Sequence, residues 1–120
     1  MKIAISSTGN TPESVMDQRF GRAAYLIVMD TETLEFESIN NAASASAGGA
    51  GVASAQTIVD KGVDVLITGN VGPNAMNVLQ AAQIALYRGL PISVKENTEK
   101  YQKNLLEKID TTVPAHSGMA

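Results

Sequence analysis

The sequence predicts an α/β domain built on a mixed β-sheet. Segments with strand and helix patterns follow one another in the order β-β-β-α-β-α-β-α, and most of the strand segments are continuous apolar runs. The polar link Asp30–Thr33 is short, so the second and third strands should pair as an antiparallel hairpin. Helical crossovers then return the later strands parallel to the first. The length of 120 residues suits one domain.

Each element has its own local signal. The predicted strands are Lys2–Ser6, Tyr25–Met29, Leu34–Ile39, Val63–Thr68 and Ile84–Tyr87. A helix over Val52–Lys61 should end at Gly62, and a second, Ala75–Gln83, should follow Pro73 at its first position. Ser93 and Glu96 have the spacing of a capping box, which starts a helix running toward Ile109 that the sequence allows to break near Asn104. We expect a domain over residues 1–110 and a loose tail over residues 111–120.

Composition excludes several classes of function. The chain has no cysteine, which excludes disulfides and thiolate-ligated metal sites. A net charge of −3 and 4% aromatic residues argue against nucleic-acid binding. The apolar runs are too short for a membrane span, and Met1 and Lys2 lead directly into a strand pattern without a signal peptide. We therefore expect a cytoplasmic protein with no nucleic-acid or membrane partner.

Two long spans carry no charged side chain: Ser38–Val59 and Val65–Tyr87. Burial explains the lack of charge in the strands and helices of these spans. It does not explain the lack of charge in their loops, because loops are normally solvated. If the first and third strands run in the same direction, four loops leave one edge of the sheet, namely residues 7–24, 40–50, 69–72 and 88–92. Open α/β sheets bind ligands along that edge. We call this edge the rim.

Three kinds of chemistry are poorly supported at the rim. The strand ends Ser6–Thr8 and Thr68–Asn70 carry no acid for a two-metal nuclease. His116 is the only histidine and no serine lies in a G-x-S-x-G elbow, so nucleophilic catalysis is not indicated. The segment Gly48-Gly49-Ala50-Gly51 has neither the lysine of a Walker A motif nor the spacing of a dinucleotide fingerprint. No catalytic residue is predicted.

A non-covalent anion site is the pattern that remains. Two predicted helix N-termini, near Gly51 and Pro73, bring N–H groups to the rim. Arg19 and Arg22 are the cations of the first loop. Further donors at the rim are the polar side chains Ser7, Thr8, Ser44, Ser46, Thr68, Asn70 and Asn74. The alternative is that Asp17 pairs with one of these arginines on the surface and the glycines merely turn the chain.

Four segments resemble the dinitrogenase iron–molybdenum cofactor biosynthesis family, and in particular its small stand-alone members of the orange protein type. The segments are Asp17–Ala23 followed by Tyr25, Asn41–Gly51, Gly72–Ala75 and Ser93–Glu96. The resemblance implies a ribonuclease H-like domain without nuclease activity. It also implies that the sheet of this domain has five strands in the order 3-2-1-4-5, with helices on both faces.

The resemblance also implies a non-catalytic protein that binds or carries a preassembled metal–sulfur cluster. Orange-protein members hold a mixed molybdenum–copper sulfide anion without covalent attachment, and this is the first expectation. Nitrogenase-associated members carry iron–molybdenum cofactor or its precursor, which is the second. The family's site residues correspond to Arg19, Phe20, Gly21, Arg22, Ser46, Gly48, Gly49, Gly51, Gly72, Pro73 and Asn74.

The lack of cysteine favours electrostatic capture of a finished cluster over direct coordination of metal by the protein. Met16 and His116 are the candidate metal contacts, although methionines are usually core filler and a tail histidine is usually solvent-exposed. We also expect protein partners to which the cluster is delivered or which regulate the carrier. Two alternatives stay open: a regulatory module whose rim binds a partner protein, and an enzyme acting on a small phosphorylated ligand.

Overall fold

The fold is a single sheet with helices on both faces. A computed structural model of the protein describes residues 1–41 and 50–109. The strands are β1 (Lys2–Ser7), β2 (Tyr25–Asp30), β3 (Phe36–Asn40), β4 (Val65–Thr68), β5 (Ala85–Arg88) and β6 (Glu107–Ile109). The helices are α1 (Ala50–Asp60), α2 (Pro73–Ala81) and α3 (Val94–Gln102), and a 3₁₀ turn spans Phe20–Arg22.

The strands lie in the order β3-β2-β1-β4-β5-β6. β1, β2 and β3 form an antiparallel meander, while β4 is parallel to β1 and β5 is parallel to β4. The predicted mixed sheet and its order 3-2-1-4-5 are therefore confirmed for the first five strands. Because β1, β3, β4 and β5 share one direction, their carboxyl ends lie at the same edge, which is the rim.

The last predicted helix is wrong in its second half. α3 ends at Gln102, Asn104 has a φ of 59°, and Glu107–Ile109 form the sixth strand, antiparallel to β5. The physical reason is that β5 would otherwise be an unpaired sheet edge, and pairing lets Ile109 pack against the apolar core. The proposed domain boundary at residue 110 and the tail over 111–120 lie outside the described residues.

Strand alternation divides the core into two layers. Ala4, Leu26, Leu66 and Leu86 point to one face, where α1 and α2 cover them. Their neighbours point to the opposite face, against Val94 of α3, and are Ile3, Ile5, Ile27, Val65 and Ile67. We call these the α1/α2 face and the α3 face. Within the described ranges, no helix is long and apolar enough to cross a membrane.

All the described helices end in the same hydrogen-bonded turn. After α2, the Gln83 N–H donates to the Gln80 carbonyl at 2.9 Å and the Ile84 N–H donates to the Leu79 carbonyl at 3.0 Å, which is a Schellman motif. The residue that must adopt positive φ is Gly62 after α1 (70°), Gln83 after α2 (60°) and Asn104 after α3 (59°). The predicted terminating role of Gly62 is confirmed, and glutamine is the unusual choice among the three.

Replacing Gln83 by Gly should stabilise the protein. A non-glycine residue in the left-handed region costs roughly 1–2 kcal/mol, and glycine avoids this cost. Part of the gain is offset because glycine increases the conformational entropy of the unfolded chain. We therefore expect Gln83→Gly to raise the free energy of unfolding by about 0.5–1 kcal/mol in urea denaturation. The matched control Gln80→Gly, an exposed helical site three residues earlier, should lower it by about 1 kcal/mol. Equal signs for the two variants would contradict the expectation.

Candidate functional site at the rim

The N-termini of α1 and α2 lie side by side at the rim. A Cβ atom added to Gly51, in the first turn of α1, would lie 3.4 Å from the Cβ of Ala75, in the first turn of α2. Small residues at this point let the two helix starts approach each other. Their N-terminal N–H groups, each helix end equivalent to about half a positive charge, therefore face one region.

The start of α2 has no side-chain cap. Gly72 occupies the N-cap position with extended backbone and contributes no side-chain hydrogen bond, and Pro73 follows it. The Met76 N–H donates to the Gly72 carbonyl at 2.9 Å, which begins the helix. The N–H groups of Asn74 and Ala75 belong to the first turn, where helical partners are lacking. This end of the helix is suited to an external acceptor.

The first loop is fastened to the end of β4 by backbone hydrogen bonds. The Asn70 N–H donates to the Gln18 carbonyl at 2.7 Å, and the Phe20 N–H donates to the Asn70 carbonyl at 3.4 Å. Gly69 makes this possible, because an added Cβ would lie 2.7 Å from both the Gln18 carbonyl oxygen and its Cβ. The contact holds Arg19 and Phe20 just before the start of α2.

Two hydroxyl groups support this contact from below. Ser6 donates to the Asp17 carbonyl, and its Oγ lies 2.7 Å from Oγ1 of Thr68. Both side chains are fully buried on the α1/α2 face. Thr68 was predicted at the rim as a ligand donor, and here its hydroxyl pairs with Ser6. Ser6 itself was not singled out, although its place at the end of a buried strand was the available signal.

Asp17 and Arg19 form a two-point ion pair. Nε and Nη2 of Arg19 donate to the Asp17 carboxylate at 3.2 and 3.1 Å, and the Arg19 backbone N–H donates to the same group at 2.9 Å. The Asp17 side chain is 9% exposed and that of Arg19 is 66% exposed. The alternative pairing considered from the sequence is thus present, but its carboxylate is buried. Asp17 orients a guanidinium that still faces solvent.

The pair shifts both pKa values toward the charged forms. Burial raises the pKa of the Asp17 carboxyl, but the side-chain and backbone hydrogen bonds from Arg19, with its charge, outweigh burial and leave that pKa lowered. The hydrogen bonds and charge of Asp17 raise the pKa of Arg19. Both groups are therefore ionised across the neutral range.

The 3₁₀ turn places Phe20 and Arg22 differently. Phe20 is 1% exposed and belongs to the core of the α1/α2 face. The turn that contains it contacts α1. Arg22 is exposed, and in the part of the chain that the structure describes its guanidinium makes no ion pair. Phe20 thus anchors the turn, and Arg22 is an exposed cation of the same turn.

Asn41 is a buried connection that sequence reasoning missed. Its amide donates to the Ala23 carbonyl at 2.9 Å and accepts from the Ser54 hydroxyl of α1 at 2.9 Å, while its backbone N–H donates to the Ala24 carbonyl at 2.9 Å. Asn41 directly precedes the glycine-rich segment and Ser54 follows it. The side chain therefore ties the first loop, the end of β3 and α1 together. The sequence signals were its place at a strand end and at the start of the family-like segment Asn41–Gly51.

The other predicted site residues fall into three groups: some lie on the α3 face, some lie at the rim and some lie outside the described residues. The Ser7 hydroxyl donates to the Gly9 carbonyl and that of Thr8 to the Val15 carbonyl, both at 2.7 Å, within the loop that covers the α3 face. Met16 is 3% exposed in the core of that face. Asn70, Gly72 and Asn74 are exposed at the rim. Ser44, Ser46, Gly48, Gly49 and His116 lie outside the described residues.

No group of three or more histidine, aspartate or glutamate side chains suited to a metal ion occurs within residues 1–41 and 50–109. The assembled rim is instead made of helix N-termini, hydrogen-bond donors and arginines. Groups of this kind can bind an anion through hydrogen bonds and positive charge.

The comparisons with known proteins decide the family. Residues 1–104 match the family described as dinitrogenase iron–molybdenum cofactor. The chain belongs to this family. An uncharacterised protein of Methanocaldococcus jannaschii is 30% identical over 113 residues, which cover 92% of each chain. Family membership relates the chain to metal-cluster cofactors and their biosynthesis.

Two solved structures of similar length share the fold. The apo form of the orange protein from Desulfovibrio gigas has a TM-score of 0.87 and 34% identity, covering 91% of this chain and 92% of that one. A Thermotoga protein proposed to be a NifB protein has a TM-score of 0.84 and 37% identity, covering 95% and 97% of the two chains. Both likenesses cover most of each chain and are consistent with a small stand-alone member of the family.

Gly69→Ala should loosen the docked first loop. The new methyl group would overlap the Gln18 carbonyl, so the loop must shift away from β4. We expect the free energy of unfolding to fall by about 1–3 kcal/mol in urea denaturation. Gly72→Ala is the matched control, because a Cβ there meets nothing within 4 Å. A Gly69→Ala variant as stable as Gly72→Ala would contradict the close approach.

Asp17→Asn should cost stability at neutral pH and not in acid. A lowered folded-state pKa contributes stability above the ordinary Asp pKa of 3.8, and this contribution is lost as pH falls through the lowered value. The difference between wild type and variant in free energy of unfolding should therefore be largest above pH 5 and shrink below the ordinary pKa. Denaturation series at several pH values measure it. A constant difference across that range would argue against the ion pair.

Proposed function

We propose that the protein is a non-catalytic carrier of a preassembled, anionic metal–sulfur cluster that it holds non-covalently at the rim. A mixed molybdenum–copper sulfide is the first candidate cargo, and an iron–molybdenum cofactor precursor is the second. The observation that carries the proposal is the pairing of the α1 and α2 N-termini beside the docked arginine loop. Membership of the cofactor family and the likeness to the orange protein support it.

The geometry suits a bulky anion with diffuse charge. Two helix N-termini, Arg19 and Arg22 present positive charge and N–H donors from the backbone of two helices and the side chains of one loop. Arg19 is oriented by Asp17 before any ligand arrives, so less side-chain freedom is lost on binding. Such pre-oriented donors recognise an anion by hydrogen bonds and charge, without a metal–protein bond.

The cargo must supply its own sulfur. The chain has no cysteine, so no thiolate of this protein can bridge or ligate the metals. Thioether contact from Met16 would require that buried side chain to move, because it is 3% exposed in the core. His116 remains a candidate contact outside the described residues. A sulfide-rich cluster assembled before binding fits these conditions, and we propose that the protein acts in the cytoplasm.

Replacement of the rim arginines should weaken cluster retention. Wild-type protein mixed without oxygen with tetrathiomolybdate and Cu(I) should retain stoichiometric molybdenum and show visible absorption. We expect Arg22→Gln to lower the affinity roughly tenfold, because one charge-assisted contact is lost. Arg19→Gln is made together with Asp17→Asn, so that no buried carboxylate loses its partner. Elemental analysis after equilibrium dialysis measures retention.

A matched control removes a positive charge from the face of the sheet that does not carry α1 and α2. Lys95 is exposed on α3, on the opposite face of the sheet, so Lys95→Gln should retain the cluster as wild type does. Colourless wild-type protein without bound molybdenum would refute the carrier role. Thermal stabilisation by nucleotides in such a protein would instead favour the small phosphorylated ligand, and a metal-independent complex with a partner protein would favour the regulatory module.

A further inference from the structure

We infer that Arg88 is a third anion-contacting arginine of the rim, approaching the start of α2 from the β5 side. The inference rests on the proposed function and adds a residue to its site. Arg88 follows directly on the charge-free span that ends at Tyr87, and it is the last residue of β5. It therefore lies at the carboxyl end of a strand, where the rim loops begin.

The register places Arg88 on the face that carries α1 and α2. Arg88 pairs with Thr68 across the parallel strands, and Leu86, two residues earlier, packs in the core of that face. Because side chains alternate along a strand, Arg88 points to the same side as Leu86. Thr68 in turn touches Ser6, below the docked first loop. Arg88 is thus on the same side of the sheet as the helix N-termini.

One hydrogen bond fixes the guanidinium at the docking point of the first loop. Nη1 of Arg88 donates to the Gly69 carbonyl at 3.0 Å. Gly69 is the residue against which Gln18 packs, and Asn70 next to it binds the backbone of the first loop. Arg88 and the loop that carries Arg19 therefore meet at two consecutive residues, just before α2 begins. Cations are held on both sides of the same short turn.

The remaining partner of Arg88 is weakly held. Nε lies 3.4 Å from Oε1 of Glu107 on β6, and the side chains are 42% and 76% exposed. An exposed ion pair of this length contributes little and is screened by salt. An anion at the rim would compete with Glu107 for the guanidinium while the Gly69 contact stays in place. Glu107 then acts as an internal competitor of the cargo.

This arrangement predicts opposite effects for the two partners. Arg88→Gln removes the charge but keeps a donor for the Gly69 carbonyl, so retention of the anion formed from tetrathiomolybdate and Cu(I) should fall roughly tenfold. Glu107→Gln removes the competitor, so retention should rise about two- to fivefold at low salt, and the gain should shrink in 0.5 M salt. Equilibrium dialysis with elemental analysis measures both, and Lys95→Gln is the charge-matched control.

The outcomes separate this inference from the carrier proposal. If wild type retains no cluster, the proposed function fails. If wild type retains it and Arg88→Gln does so equally well, only the role of Arg88 is overturned. Losses of equal size in both variants would mean that the pair acts by supporting β6, and this too would overturn the inference. Thermal melting of each variant verifies that retention is compared between folded proteins.

Discussion

The contact between Gly69 and Gln18 is the constraint on which the rim depends. Only a glycine lets the backbone of the first loop approach the end of β4 closely enough for the Asn70 hydrogen bonds. That approach brings Arg19 to the start of α2 and fixes Phe20 in the core. The loop over residues 8–24, which contains one 3₁₀ turn, would otherwise lose much conformational entropy on closing. Backbone pairing and one buried aromatic ring offset that cost.

Rigid packing and ligand chemistry are divided between the two faces of the sheet. On the α3 face Met16 packs in the core, and Ser7 and Thr8 form hydrogen bonds within the loop segment that precedes it. On the α1/α2 face the polar strand ends Ser6 and Thr68 hold the arginine loop. Strand alternation therefore determines which of two adjacent serines supports the site. Ser6 lies beneath the rim, and Ser7 is turned away from it.

Much of the fold could be predicted from the sequence, because apolar runs, a short polar hairpin link and Gly62 are local signals. The sixth strand could not, since Glu107–Ile109 has no strand pattern and exists because β5 offers an unpaired edge. At the site, Arg19 and Arg22 could be predicted because they are the cations of the first loop. Asn41, Ser6 and Arg88 act through partners more than ten residues away in the chain, and no spacing rule reveals such contacts.

The charge pattern explains how an acidic protein can present an anion site. The net charge is −3, yet two acids that lie beside rim arginines are paired with them: Asp17 with Arg19 and Glu107 with Arg88. Their burial differs, and this difference gives them different effects. The buried Asp17 orients its arginine permanently, whereas the exposed Glu107 can be displaced by a stronger anion. A carrier needs both properties. Arg19 must be ready to bind the incoming cluster, and Glu107 must be able to pair with Arg88 again when the cluster is released.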